Sequence, residues 1–153
     1  MLSFRMNIHP ATEYDLDSVI SWVSTEEDCR IWAGPAVTFP LDKIALIKEI
    51  FFGPDNSYIC KNGSDSLAFG QIFKLNKGYS HIARVITNPS YRRRGFGREI
   101  CNTLVNYASM QGGDGISLNV YRNNLPALRL YQSMGFNEQI EKSDVNNVFM
   151  VKT

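Results

Sequence analysis

The sequence is poor in the features that mark a secreted, membrane-bound or metal-stapled protein. Its three cysteines, Cys29, Cys60 and Cys101, are scattered without Cys-x-x-Cys or Cys/His spacing, so neither a disulfide framework nor a zinc site is encoded and no metal is expected. Long apolar runs are missing: stretches such as Ile44 to Ile47 fall far short of the roughly 18 residues that a membrane span needs. Met1-Leu2-Ser3-Phe4-Arg5 lacks the charged-then-apolar order of a secretion signal, so the expectation is a cytoplasmic protein without a membrane partner. Charge of one sign is lacking too. Sixteen Lys and Arg face fifteen Asp and Glu, a formal +1, so no overall field recruits nucleic acid or anionic lipid, and any polyanion must be met by a local cluster.

What is present is an ordinary globular balance, 44% hydrophobic and 20% charged over 153 residues. That length suits one domain, residues 1–153, able to bury a core without staples. Phe4 to Ile8 alternates as a first strand, and Thr12-Glu13-Tyr14-Asp15 after Pro10 reads as a turn and helix N-cap. Leu16, Val19, Ile20 and Val23 follow at helical spacing; a second helix starts after Pro40 and stops at Gly53-Pro54, with an irregular piece, Thr25 to Phe39, between them. Ser57–Lys61, Leu67–Lys74 and Tyr79–Thr87 read as a meander of three strands, its first turn being Asn62-Gly63-Ser64-Asp65. Phe96, Ile100, Leu104 and Ala108 then recur every four residues until Gly112-Gly113. A strand at Ile116–Tyr121, a helix at Asn124–Met134 stopped by Gly135, and strands near Phe136–Glu141 and Val145–Val151 complete the order βααβββαβαββ. The expected class is α/β, with a mixed, mostly antiparallel sheet flanked by helices.

Arg92-Arg93-Arg94-Gly95-Phe96-Gly97-Arg98 lies between a strand and an amphipathic helix. Glycines there let backbone N–H groups approach a ligand, the helix start carries positive partial charge, and arginine forks suit phosphate oxygens. A diphosphate site follows, with a solvated Arg-rich turn as the plain alternative. The segment lacks the Gly-Lys-Ser/Thr ending of a P-loop and the three-glycine dinucleotide fingerprint, which argues against ATP and NAD. Its arginines are not interleaved with stacking aromatics, which argues against nucleic acid.

At Arg92-x-x-Gly95-x-Gly97 the chain resembles the GNAT superfamily of acyl-CoA-dependent N-acetyltransferases, and Asn124-x-x-Ala127-x-x-Leu130-Tyr131-x-x-x-Gly135-Phe136 looks like that family's downstream pattern. The resemblance is sharp from about His81 to Phe136. It implies a GNAT-like domain in which Arg92, Arg93, Arg94, Gly95, Phe96, Gly97 and Arg98 wrap the CoA pyrophosphate. It also implies that Val85, Ile86 and Thr87 pair with the pantetheine arm, that Asn124 and Ala127 contact acetyl-CoA, and that Tyr131 protonates the departing thiolate. A phenol titrating near ~10 matches an alkyl thiol. Without that match, Asn124 would be a helix cap and Tyr131 a core residue.

An alkylamine acceptor titrates near ~10.4, so something must take its proton at neutral pH. Where some family members carry a glutamate five residues before the motif asparagine, this chain has Asn119, which cannot serve as base. Other members place the base six residues before the position of Thr87, which here is His81. His81 therefore reads as the base, directly or through water, or as a strand histidine facing solvent. The family's acceptor cleft is lined by the segment containing Glu26, Glu27, Asp28 and Trp32, which suits a cationic amine by charge pairing and cation–π contact, unless the acids form a solvated turn and Trp32 packs on the core. The expected function is transfer of acetyl from acetyl-CoA to a primary amine of a small molecule or peptide, by direct attack, in a monomer or homodimer. A non-catalytic acyl-CoA-binding or sensing module is the alternative, and the cysteines are not assigned as nucleophiles.

Overall fold

The computed structural model describes residues 6–75, 78–92 and 95–153. Its elements are β1 (Asn7–Pro10), α1 (Glu13–Trp22), α2 (Glu26–Ala33), α3 (Lys43–Glu49), β2 (Ser57–Asn62), β3 (Asp65–Lys74), β4 (Tyr79–Thr87), α4 (Gly97–Met110), β5 (Gly115–Tyr121), α5 (Leu125–Ser133), β6 (Asn137–Glu138) and β7 (Asn147–Lys152). The strands form a mixed seven-stranded sheet in the order β1-β2-β3-β4-β5-β7-β6, the α/β class expected. Packing divides the chain into two compact units, Met1–Gln71 with Arg84–Leu104, and Ile72–Ala83 with Val105–Thr153, so β3 and β4 each run through both.

In the first unit, α1 starts with a reciprocal cap: Thr12 Oγ1 accepts from Asp15 N at 3.3 Å, and Asp15 Oδ2 accepts from Thr12 N at 2.9 Å. Leu16, Val19 and Trp22 then bury one stripe of the helix. The piece expected to be irregular contains α2. Thr25 Oγ1 accepts from Asp28 N at 3.0 Å, and Glu26, Glu27 and Asp28 place negative charge at the helix start, a cap signal strong enough to nucleate a turn that only Cys29 and Trp32 anchor inward. Three helices, not two, thus separate β1 from β2. Pro10, expected in a turn, ends β1 opposite Tyr58, which an edge strand tolerates because the N–H that proline lacks can face away from the ladder. Residues of α1, α2 and α3 pack with Ile59, Phe69 and Ile86 in one apolar cluster.

In the second unit, β5 pairs antiparallel with β7 over Ile116↔Lys152 to Tyr121↔Asn147, and parallel with the start of β4 over Tyr79↔Gly115 to Ile82↔Leu118. Leu118, Phe136, Val148 and Met150 are buried there. Gly113, at φ 116°, lies so close to the Gly78 carbonyl that a Cβ would collide with it, and Asp114 N donates to that same carbonyl at 2.8 Å. A backbone hydrogen bond thus closes the turn into β5.

Candidate functional site

The loop before α4 has the form an anion needs. Gly95 adopts φ 78°, a left-handed conformation that side chains rarely take, and a Cβ at either Gly95 or Gly97 would meet nothing within 4 Å among the described residues. The backbone face is thus open where the 14-residue α4 begins, with its first N–H groups lacking intrahelical acceptors. These features fit a diphosphate. Phe96 packs on Tyr91 at 6.0 Å between ring centroids, and Tyr91 donates to Asp65 Oδ2 at 2.8 Å, fastening the loop to the first residue of β3. Arg92 folds back, its Nε donating to Thr87 O at 3.1 Å; Arg98 is exposed, while Arg93 and Arg94 lie outside the described residues. Ile86 is buried in the core and Val85 and Thr87 are half-buried, beyond the last parallel pair of β4 with β5 at Ile82↔Leu118.

An acidic cleft of about 660 Å³ opens in the first unit, lined by Glu26, Glu27, Cys29, Arg30, Gly34, Pro35, Val37 and Phe39. Glu27 is shared with Arg30 at 3.8 Å, whereas Glu26 has no ion pair among the described residues. Glu49, at the end of α3, reaches the same wall: its Oε2 accepts from Thr38 N and Oγ1 at 3.2 and 2.8 Å, between two of the lining residues. Trp32 is not among the lining residues. It is buried edge-on to Phe69 at 6.3 Å between centroids, and its Nε1 donates to Arg84 O at 2.8 Å.

That contact exposes what the sequence reading missed. Arg84, at φ 50°, departs from extended geometry in the middle of β4, two residues past the last parallel pair with β5. Its Nη1 donates to Oε1 of the fully buried Gln71 at 2.9 Å. The available signal was a charged residue between Ile82 and Ile86, in the strand read as the third of the meander. Burial pulls the Arg84 guanidinium below the ordinary arginine range.

In the second unit, register sets His81 directly opposite Ser117. His81 Nδ1 lies 2.8 Å from Ser117 Oγ, Nε2 lies 3.5 Å from Asn119 Nδ2, and the ring stacks on Phe149 at 6.1 Å. An amide nitrogen only donates, so this arrangement favours the tautomer with N–H at Nδ1 and the lone pair at Nε2. The solvent-facing alternative does not describe a half-buried ring held on three sides. Tyr131 is half-buried on α5 with its ring edge-on to Phe136 at 5.7 Å. Asn124 begins α5 but makes no side-chain cap bond, so capping does not account for it; Ala127, one turn on, is half-buried.

None of the three thiols is poised to attack. Burial pushes the Cys60 thiol up to about 12, and burial followed by Glu49 and Glu26 raises Cys29. Cys101 is buried. Among the described residues there is no cluster of His, Cys, Asp and Glu able to hold a metal, and no helix is long and apolar enough to cross a membrane.

Solved structures establish the fold class. The chain superposes on the ribosomal-protein-S18-alanine N-acetyltransferase from Escherichia coli with a TM-score of 0.69, at 18% identity over 97% of this chain and 93% of that one. It superposes on the spermidine N-acetyltransferase from Vibrio cholerae in complex with CoA and spermine with a TM-score of 0.76, at 15% identity over 95% and 94%. At these identities the likeness is one of fold alone, the mixed α/β sheet flanked by helices. The model of the acetyltransferase (GNAT) family matches residues 17–136, more than three quarters of the chain, and the chain belongs to that family. By sequence it is 35% identical over 57 residues to the [ribosomal protein bS18]-alanine N-acetyltransferase of Escherichia coli K12, a match spanning 37% of this chain and 38% of that protein.

Proposed function

We propose that this chain, residues 1–153 acting as one domain, transfers acetyl from acetyl-CoA to a primary amine by direct attack. The observation that carries the reading is the loop at Gly95 and Gly97, open at both glycines where α4 begins, in a chain of the acetyltransferase family. Acetyl-CoA supplies, when bound, a thioester carbonyl and a thiol leaving group. Backbone N–H groups of residues 95–98 hold the diphosphate, with Arg92, Arg93, Arg94 and Arg98 supplying charge, Phe96 pinning the loop, and Val85, Ile86 and Thr87 offering backbone to the pantetheine arm. Asn124 and Ala127 contact the same molecule, and Tyr131 returns a proton to the leaving sulfur.

The lone pair on His81 Nε2 takes the acceptor's proton, directly or through one water, once the acceptor or water displaces the 3.5 Å contact from Asn119, while Ser117 holds the tautomer through Nδ1. Glu26 and Glu27 attract a cationic acceptor into the cleft they line, and Trp32 acts from behind by fixing the Arg84 carbonyl. The protein works in the cytoplasm as a monomer or homodimer, although one structural neighbour, a Vibrio cholerae spermidine N-acetyltransferase, is dodecameric.

The test is thiol release from acetyl-CoA with a panel of polyamines, aminoglycosides, amino acids and peptides. Turnover with one acceptor, and loss of the acid limb of kcat/KM in His81→Ala, are expected. Acetyl-CoA binding without turnover across the panel would instead favour the non-catalytic binding module.

A further inference from the structure

Trp32 belongs to the helix that lines the acidic cleft, yet it is not one of the lining residues. It is 8% exposed, its ring meets Phe69 edge-on, and its one N–H is spent on the Arg84 carbonyl at 2.8 Å. An indole nitrogen only donates, so this bond is the whole of its polar role. That role is directed at β4.

Arg84 takes φ 50° inside β4, a left-handed backbone that a non-glycine residue keeps only where its surroundings impose it. Two buried side chains from different elements do so. Trp32 of α2 takes the Arg84 carbonyl, while Gln71 of β3, itself anchored on Ile50 O and Ser57 Oγ at 3.0 Å each, accepts from Nη1 at 2.9 Å. The residues that follow the bend are Val85, Ile86 and Thr87, and their far end is fastened as well. Arg92 Nε donates to Thr87 O at 3.1 Å, and Asn88 N donates to Leu67 O at 2.8 Å. Ile86 is buried in the same apolar cluster as Trp32. The course of these three residues is thus set before any ligand arrives, and a strand already set in its binding geometry has less order to lose on binding.

We propose that Trp32 is a positioning residue on the acetyl-CoA side of the reaction: by holding the Arg84 carbonyl it fixes the bend that presents the backbone of Val85, Ile86 and Thr87 to acetyl-CoA. The assignment rests on the transferase reading for its ligand. It moves Trp32 from the acceptor, against which the sequence pattern set it, to the strand that meets acetyl-CoA.

The test compares Trp32→Phe, which keeps an aromatic ring beside Phe69 but has no N–H, with Val19→Ala, which thins the same apolar cluster and leaves the bond in place. Acetyl-CoA affinity is read by titration calorimetry, and backbone order by amide hydrogen exchange at residues 85–87. Trp32→Phe should weaken acetyl-CoA about three- to tenfold, the worth of one hydrogen bond, and speed exchange of those amides. Val19→Ala, although less stable, should bind acetyl-CoA as the wild type does. A measurement on the wild type needs no variant to fold: the Trp32 indole N–H resonance should shift when acetyl-CoA is added. The proposal is overturned if Trp32→Phe binds within twofold of the wild type, if Val19→Ala weakens binding as much, or if the indole resonance is unmoved at saturating acetyl-CoA. A wild type that binds no acetyl-CoA removes the transferase reading and this assignment with it. Equal binding by wild type and Trp32→Phe removes only the assignment.

Discussion

Replacing Gln71 by leucine probes the buried polar chain that ends on Arg84. Gln71 is fully buried and makes three hydrogen bonds, to Ile50 O, to Ser57 Oγ and from Arg84 Nη1. Ser57 keeps its bond to Asn56, so the change leaves two groups short of a partner, a carbonyl beside α3 and a guanidinium N–H. Each orphaned group costs ~1–3 kcal/mol, the charged one toward the upper end. Apolar burial of a leucine of similar size returns ~1–2 kcal/mol. The net loss is about 1–5 kcal/mol, which at ~2–4 °C per kcal/mol for a chain of this length lowers Tm by about 2–20 °C. Urea unfolding should show the midpoint falling at constant m. A Gln71→Leu protein within ~0.5 kcal/mol of wild type would refute the reasoning, because surface-like tolerance is incompatible with a network that holds an uncompensated charge.

Other consequences are checked more simply. Thr25→Ala should cost about 0.5–2 kcal/mol in chemical denaturation by removing the cap of α2, and no loss would mean that tertiary packing alone sets the helix. Glu138 is held below the ordinary carboxylate range first by its hydrogen bond from Arg122, and Asp144 by the N–H groups of Asn146 and Asn147. Because their folded values are depressed, their contribution is full above the unfolded carboxylate range near ~4 and is lost as pH falls through it and below. Glu138→Gln should therefore flatten the acid side of the stability profile slightly, both groups being solvent-accessible, and an unchanged slope would contradict the coupling. Native Cys60 should resist iodoacetamide at mild alkaline pH and react only on unfolding.

Much of the architecture was legible because it is local. The Thr12 cap, the Asn62–Asp65 turn and the four-residue repeat of α4 are written in adjacent residues, and β4 runs from Tyr79 to Thr87 as its pattern indicates. The glycine turn that opens α4 was legible for the same reason. Helix α2 was not, because eight residues with two buried side chains carry little periodicity, even though Thr25 and three following acids marked its start. The surroundings of His81 depend on the parallel register with β5, which no local pattern encodes. Arg84 was hidden further still. Its left-handed backbone and its bond to Gln71 arise from packing between strands, and a lone arginine in a strand pattern does not announce either.

The central claim is tested most directly by thermal unfolding with and without acetyl-CoA, beside a Gly95→Glu/Gly97→Glu variant that places negative charge on the loop. Ligand at about 100 times its Kd adds ~2.7 kcal/mol to the folded state. A clear rise in Tm for the wild type, absent in a variant that still unfolds cooperatively, is the predicted result. No rise at millimolar acetyl-CoA, or an equal rise in the variant, would contradict the account.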